Sequence, residues 1–292
     1  MERDLDKWAS WLLHGRDGDD PEQREKALEH LLPIRDRVLD GARIQPGEHL
    51  LDVGSGDGLI AFGALDLVGP EGAVTVSDVS ADVVEHSRSV GDKLGVGSRM
   101  SFAVANAEDL GPIESGSIDV VTTRSVLIYV ADKQQAFREF HRVLRPGGRV
   151  SIFEPINNYF PDTPNEFWGF DSQAVSDLVA KVWAYEGWEG SADATDPMMN
   201  FTEKDLVAYA EAAGFSEVHV DLLVDVEPGT WVVDWERLLN TSPNPNAHTA
   251  GEAIQGALTD DEAARLESHI RPLADAGHGI LRSAFMYLVA VK

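Results

Sequence analysis

Five short apolar runs alternate with helical patterns in the first half of the chain, and this alternation is the strongest constraint on its fold. The runs are rich in β-branched residues and are separated by segments of helical periodicity. They are Leu50–Val53, Ala73–Val76, Ser101–Val104, Ile118–Thr122 and Arg149–Phe153. Continuously apolar strands joined by helices are typical of parallel sheets covered on both faces. The pattern therefore predicts an α/β fold with a doubly wound sheet.

Longer segments outside this alternation set the expected domain organisation. The expected divisions are a helical arm at 1–44, a core at 45–155, an insertion at 156–200 and a region at 201–292 that completes the core. The last region contains a helix followed by two strand candidates, Glu217–Val224 and Ser283–Val291. Between these strands, residues 225–282 are so numerous that we expect helical structure within them.

Composition excludes several kinds of site and partner. The chain has no cysteine, which excludes disulfides, thiolate metal sites and cysteine nucleophiles, and its nine histidines lack zinc-site spacing. A formal net charge of −26 disfavours nucleic acids, which bind basic surfaces. No apolar run is long enough to span a membrane, and the charged N-terminus lacks a signal-peptide pattern. We therefore expect a cytoplasmic protein without a metal or a membrane partner, and no pattern indicates its oligomeric state.

A glycine-rich loop, Gly54–Gly58 (GSGDG), directly follows the first apolar run and precedes a helical pattern. Glycine permits positive φ angles and lets a ligand approach the main chain closely. Asp78 ends the next run, where a carboxylate is placed to accept hydrogen bonds from both hydroxyls of a ribose. A nicotinamide-binding loop would have the spacing G-x-G-x-x-G, but here the third glycine comes one residue early.

With Asp52 in front of the loop, the motif D-x-G-x-G-x-G resembles the first motif of the class I S-adenosylmethionine (SAM)-dependent methyltransferases. Later motifs of that family resemble the stretches Ala73–Ser80, Ala105–Leu110, Ser117–Val130 and Phe140–Pro155. The chain is similar to the methyltransferases of ubiquinone and menaquinone synthesis and their small-molecule relatives. This resemblance implies a Rossmann-like, seven-stranded sheet whose last strand, here Ser283–Val291, is antiparallel.

The resemblance also implies SAM as the cofactor and assigns residues to it. Asp78 would accept the ribose hydroxyls, and the stretch around Asn106 would hold the adenine. Asn106 stands where the family usually has Asp, and its side-chain carbonyl can still accept the adenine amino group. Thr123 and its neighbours would lie near the methionine part of the cofactor. The implied cofactor residues are Asp52, Gly54, Ser55, Gly56, Gly58, Asp78, Val79, Asn106, Ala107, Glu108, Thr123 and Arg124.

Four residues are candidates for the reaction centre, three of them because the carboxyl ends of parallel strands face the ligand cleft. Arg124 is expected to pair either with a carboxylate of cofactor or substrate, or with Glu154 or an acidic residue at the surface. Tyr129 either orients the acceptor or packs within the fold. Glu154 follows the fifth strand. His14, in the arm, is a candidate general base, with a surface or capping role as the alternative.

All seven tryptophans, with other aromatic residues such as Phe167 and Phe170, lie in the arm and the insertions. Because ligand pockets are mostly apolar, we expect these segments to cover the cleft and line a site for an apolar or aromatic acceptor. The alternative is that these residues pack the additions onto the core. The functional hypothesis is in-line methyl transfer to O, N or C of a small metabolite. Its alternatives are a SAM-fold enzyme with other chemistry, such as cyclisation or rearrangement, and a non-catalytic SAM-binding protein.

Overall fold

The computed structural model describes residues 5–15, 21–160, 163–188, 195–229 and 235–292, so that Trp231 lies outside the described residues. The helices are α1 (Lys7–Ser10), α2 (Pro21–Ala42), α3 (Leu59–Val68), α4 (Ala81–Lys93), α5 (Lys133–Val143), α6 (Ser176–Tyr185), α7 (Glu203–Ala213), α8 (Trp235–Leu239), α9 (Ala250–Ala257) and α10 (Asp260–Asp275). The strands are β1 (His49–Val53), β2 (Ala73–Asp78), β3 (Met100–Val104), β4 (Ile118–Arg124), β5 (Leu144–Pro155), β6 (Glu166–Phe167), β7 (Phe170–Asp171), β8 (Glu217–Gly229) and β9 (Gly279–Val291). A π-helical turn, Trp11–Gly15, extends α1.

Seven strands form one sheet in the order β3-β2-β1-β4-β5-β9-β8. The first five of these are parallel, and β9 runs antiparallel to both β5 and β8. The prediction of a doubly wound, seven-stranded sheet with an antiparallel last strand is confirmed. The strand order reverses between β1 and β4, and ligands bind outside the carboxyl ends of the strands at such a point.

The antiparallel hairpin of β8 and β9 is longer than predicted. The two strands pair without interruption from Glu217 opposite Val291 to Gly229 opposite Gly279, so the insertion comprises residues 230–278 rather than 225–282. Beyond Val224, strand β8 is exposed almost throughout. Backbone pairing with β9 keeps this part extended without burying it, and a pattern of apolar residues does not reveal such pairing.

The long helix α2 packs into the core, although it lies within the segment predicted as a covering arm. It contacts α3, β4 and β5, and both Val38 and Ala42 are fully buried. The hydroxyl of Ser151 on β5 donates a hydrogen bond to the carbonyl oxygen of Val38 at 2.7 Å. In the described part of the arm, only the residues ahead of α2 are therefore placed to cover the cleft.

The two insertions together build a helical subdomain with a core of its own. Helices α6, α8, α9 and α10 pack on one another beside the β6–β7 hairpin. Phe167, Phe170 and Trp235 are buried in this second core together with aliphatic residues of the four helices. These aromatic side chains therefore stabilise the subdomain. This agrees with the alternative that they serve packing, rather than with the expectation that they line an acceptor site.

Within the described residues, no helix is both long enough and apolar enough to cross a membrane. The same residues contain no group of three or more histidine, aspartate or glutamate side chains arranged to hold a metal ion.

The second core predicts a stability difference between two leucines. Leu266 on α10 is fully buried, whereas Leu94 after α4 is 62% exposed. We expect Leu266→Ala to lower the free energy of unfolding by about 2–5 kcal/mol, because it removes buried methyl groups and leaves a cavity. The matched control Leu94→Ala should change it by less than about 0.5 kcal/mol. Urea unfolding followed by circular dichroism measures both, and equal effects would contradict a packed second core.

Candidate functional site

The glycine loop has a backbone conformation that other residues rarely adopt. Gly54 and Gly56 have φ angles of 62° and 56°, in the left-handed region. A Cβ atom on Gly54 would lie 2.3 Å from Val126 Cγ2, and one on Gly56 would lie 3.3 Å from Leu12 Cδ2. The loop is therefore enclosed between the segment that follows β4 and the residues ahead of α2.

Asp52 supports this loop from behind. The residue is 2% exposed, and its carboxylate accepts hydrogen bonds from the Thr122 hydroxyl at 2.8 Å and from the Ala61 N–H at 3.1 Å. Burial raises the pKa of Asp52 to about 7, although the hydrogen bond from Thr122 and the charge of Arg124 oppose that shift. The side chain thus joins β1, β4 and α3 where the loop begins, and it acts on the cleft through the loop.

Asp78, at the carboxyl end of β2, holds the loop from the cleft side. Its Oδ2 accepts a hydrogen bond from the Gly56 N–H at 3.1 Å, and its Oδ1 accepts one from the Ser80 N–H at 3.0 Å. Burial raises the pKa of Asp78, and the nearby carboxylate of Asp6 adds to that increase. Each carboxylate oxygen has a further lone pair, so the side chain can also accept two hydrogen bonds from a diol.

The stretch predicted to hold the adenine forms a tight turn beside β2. The Asn106 side-chain oxygen accepts a hydrogen bond from the Glu108 N–H at 3.1 Å, and the Ala105 N–H donates to the Asp78 carbonyl oxygen at 2.9 Å. Asn106 is exposed, Ala107 is buried, and Val79 across the turn is 51% exposed. Val79 thus offers an apolar surface and Asn106 an amide next to Asp78. An adenine base could pack on the first and form hydrogen bonds with the second.

Two hydroxyl oxygens at this edge, Ser55 Oγ and Thr123 Oγ1, are buried and have no hydrogen-bond partner within the described part of the chain. Ser55 belongs to the glycine loop, and Thr123 pairs with Val53 at the end of β1. A buried polar group without a partner costs about 1–3 kcal/mol, so folded proteins usually give it one. Hydroxyl donors, a carboxylate that suits a diol and a turn that suits a base fit a nucleoside joined to an amino acid, which is the outline of SAM.

Glu154 orders the segment after β4. It is fully buried, and its carboxylate accepts hydrogen bonds from the N–H groups of Val126 and Leu127 at 2.9 Å and of Ile128 at 3.3 Å. Burial raises the pKa of Glu154 to about 7, against these three hydrogen bonds and the charge of Lys133. Predicted as a reaction-centre residue, Glu154 faces the backbone, so we now interpret it as a positioning residue.

Tyr129 ends the segment that Glu154 orders. Its ring meets the Trp8 ring edge-to-face, with 5.1 Å between the centroids. Burial and the charge of Glu154 raise the pKa of Tyr129 to about 12, although Arg124 opposes the shift. The phenol is therefore neutral at physiological pH and can donate a hydrogen bond. Arg124 is partly buried at the end of β4, near enough to influence both Tyr129 and Asp52.

Lys133 is a site residue that the sequence did not reveal, because at the start of an amphipathic helix a lysine is ordinarily exposed. It is 4% exposed, and its ammonium donates to the carbonyl oxygens of Val130 at 2.9 Å and Pro197 at 2.8 Å. A third hydrogen bond reaches Asn200 Oδ1 at 3.1 Å. Burial lowers the pKa of Lys133 to about 8, against the charge of Glu154. Lys133 therefore fastens residues 195–201 to the segment after β4.

His14 lies on the same arm as Trp8. It is exposed on the π-helical turn. Burial lowers the pKa of His86 on α4, and the charge of His14 contributes to that decrease, as does Arg24. The structure thus brings Asp78, Asn106, Thr123 and Arg124 to one edge of the sheet. It places His14 close enough to His86 on α4 for their charges to interact.

The burial of Glu154 predicts a pH-dependent stability. Folding raises its pKa from 4.5 to about 7, so its contribution to stability is complete below pH 4.5 and is lost as pH rises through 7. The free energy of unfolding of the natural protein minus that of Glu154→Gln should therefore fall by up to ~3 kcal/mol between those pH values. Urea unfolding at steps of half a pH unit measures this difference.

Glu114→Gln is the matched control, because Glu114 is exposed. The corresponding difference for this variant should vary by less than about 0.5 kcal/mol over the same pH range. A constant difference for Glu154→Gln would contradict the burial of an ionisable group at this position.

The part of the chain that contains this edge of the sheet is similar to known proteins. Residues 51–152 match the family model described as "Methyltransferase domain". The ubiquinone/menaquinone biosynthesis C-methyltransferase UbiE of Hahella chejuensis is 38% identical over 117 residues, which are 40% of this chain and 47% of that protein. The chain thus spans about half the length of this curated relative.

Solved structures share the fold across more of the chain. The YcgJ protein from Bacillus subtilis is 16% identical, with a TM-score of 0.53 over 88% of this chain and 97% of that one. The 4+2 cyclase SpnF is 19% identical, with a TM-score of 0.50 over 89% of this chain and 80% of that one. At such identities the likeness concerns the fold alone.

Proposed function

We propose that this chain transfers the methyl group of SAM to a small organic acceptor, because residues 51–152 match a methyltransferase domain. The observation that carries the proposal is Asp78 at the carboxyl end of β2, beside the glycine loop that follows β1, whose two carboxylate oxygens are braced by backbone N–H groups. A braced carboxylate at this point suits a ribose diol.

The proposed cofactor contacts follow from where each residue lies. Asp78 accepts the ribose hydroxyls, while the loop glycines let the cofactor approach the main chain. Asp52 and Gly58 hold the loop, Gly58 as the left-handed residue that begins α3. Val79, Asn106, Ala107 and Glu108 would hold the adenine. The hydroxyls of Ser55 and Thr123 and the guanidinium of Arg124 serve the methionine part.

The chain's own residues act by binding, orienting and excluding water. The sulfonium of SAM supplies an already activated methyl group, so an in-line displacement requires chiefly alignment of the acceptor atom. Such alignment is worth on the order of 7–11 kcal/mol in favourable cases. Because its phenol remains neutral, Tyr129 orients the acceptor through a donated hydrogen bond and does not remove its proton. His14 is retained as the proposed base for acceptors that need one.

We further propose an apolar or aromatic acceptor, such as a quinone-like ring. The aromatic residues of the helical subdomain pack its own core and do not support this proposal. The side chains that support it lie around the ends of the strands. Trp8 lies against Tyr129, and Tyr159, which follows β5, is 43% exposed and meets the Phe160 ring at 5.1 Å. Met198 lies nearby in the segment that Lys133 fastens.

A second candidate function is non-methyl-transfer chemistry, because SpnF, a solved protein with the same fold, is described as a cyclase. The deciding experiment incubates the full chain with methyl-labelled SAM and a panel of phenols, hydroquinones and amines. Labelled product together with S-adenosylhomocysteine supports methyl transfer. An acceptor that is cyclised or rearranged while SAM stays intact supports the second function. SAM binding with neither outcome would support a non-catalytic binding protein.

The proposed role of Asp78 predicts a binding defect. Asp78→Asn should weaken S-adenosylhomocysteine binding on the order of 100-fold, because hydrogen bonds to a charged group are worth about 1.5–3 kcal/mol each. Calorimetric titration measures the dissociation constant. Asp275→Asn, at an exposed position on α10, is the control and should leave it unchanged. Equal affinities for both variants would contradict the assignment of Asp78.

A further inference from the structure

Residues 5–14, here called the leading segment, contact both ends of the hydrogen-bonded chain that runs through Asp78. At one end, the Ser80 hydroxyl donates to Asp6 Oδ2 at 2.6 Å, and the Ser80 N–H donates to Asp78. At the other end, the Gly56 N–H donates to Asp78, and the Leu12 side chain packs on Gly56. The leading segment therefore touches the two groups that brace the proposed ribose carboxylate.

Asp6 makes this contact while holding the local structure of the leading segment. Its Oδ1 accepts hydrogen bonds from the N–H groups of Trp8 and Ala9 at 3.0 Å, which caps α1. Its own N–H donates to Asp82 Oδ2 at 2.9 Å. Burial opposes ionisation, but the hydrogen bonds from Ser80 and the backbone outweigh it and lower the pKa of Asp6. Asp6 is therefore a carboxylate held against the strand end that carries Asp78.

The leading segment also reaches the acceptor side of the cleft and the helical subdomain. Trp8 lies against Tyr129. The Trp11 indole N–H donates to the Ser242 carbonyl oxygen at 3.4 Å, and the Lys7 ammonium donates to Asn246 Oδ1 at 2.7 Å. We use docking for the attachment of the leading segment to the end of β2 through Asp6. Docking thus positions Trp8 as one wall of the proposed acceptor site.

We propose that Asp6 is a positioning residue that, through Ser80, couples docking of the leading segment to occupancy of the ribose site. The inference rests on the proposed function. Docking places Asp6 near Asp78, so two carboxylates oppose each other when the ribose site is empty. Two hydroxyls that donate to Asp78 offset its negative charge and reduce that repulsion. Cofactor binding therefore favours docking, and by linkage docking strengthens cofactor binding by the same factor.

Two substitutions separate the hydrogen bonds of Asp6 from its charge. Asp6→Ala removes the cap and the contact with Ser80. Asp6→Asn keeps an oxygen for the cap and presents an amide N–H to the Ser80 hydroxyl, but it removes the charge. The control Thr259→Ala removes the cap of α10, which lies in the helical subdomain.

The experiment uses the full chain and two readouts that do not depend on turnover. The first is the rate of tryptic cleavage after Lys7, with and without saturating S-adenosylhomocysteine. The second is the dissociation constant of S-adenosylhomocysteine by calorimetry. In the natural protein and in Thr259→Ala, the ligand should slow cleavage by about 5–150-fold, the usual range of a coupling between sites.

The Asp6 variants should differ from each other in the cleavage rate without ligand, which should be fast in Asp6→Ala and slow in Asp6→Asn. Asp6→Ala should lose the protection and bind S-adenosylhomocysteine more weakly by the same factor. In Asp6→Asn the segment should already be protected without ligand, and the ligand should change cleavage by less than about 2-fold because the repulsion that couples the two sites is removed. By linkage, this variant should bind S-adenosylhomocysteine more weakly than the natural protein, by the same factor as Asp6→Ala. Melting temperatures by circular dichroism verify that all variants are folded.

Three results would overturn the proposal. If the natural protein binds S-adenosylhomocysteine but the ligand leaves cleavage unchanged, the coupling is absent while the proposed function stands. If Asp6→Ala behaves as the natural protein does, Asp6 is not the coupling residue. If the natural protein does not bind the ligand at all, the proposed function and the coupling fail together.

Discussion

Two carboxylates hold the glycine loop from opposite sides, and the rest of the site depends on this arrangement. Asp52 fastens the loop from behind through Thr122 and Ala61, and Asp78 fastens it from the cleft through the Gly56 N–H. A loop of left-handed glycines would otherwise have many conformations, since glycine loses the most backbone entropy on ordering. The carboxylates select one conformation and leave the main chain open to a ligand.

A buried carboxylate also holds a backbone segment at the end of β5, where Glu154 accepts hydrogen bonds from three backbone N–H groups of the segment that carries Tyr129. Burying a carboxylate is costly unless hydrogen bonds and an opposite charge compensate. Here the backbone supplies the donors and Lys133 the charge, while Lys133 in turn holds residues 195–201. Buried charges therefore order both the cofactor edge and the proposed acceptor wall.

The helical additions have two separate physical roles. The larger part of them, around Phe170 and Trp235, buries its aromatic side chains within its own core, as any stable subdomain must. The leading segment is instead too short to form a core and is held by contacts with its neighbours. Aromatic residues in an insertion are thus uninformative about a ligand until their packing partners are known.

By itself, the sequence determined the parallel core and the position of Asp78 after the second strand. Both follow from apolar periodicity and from residue types with intrinsic backbone requirements, which act over a few neighbouring positions. The antiparallel last strand was expected only from the resemblance to a family. Only the tertiary structure decided that α2 joins the core, that Lys133 is buried and that Glu154 faces the backbone rather than a substrate. It also decided that Asp6 meets Ser80 across 74 positions of the chain, because such contacts depend on which elements the fold brings together.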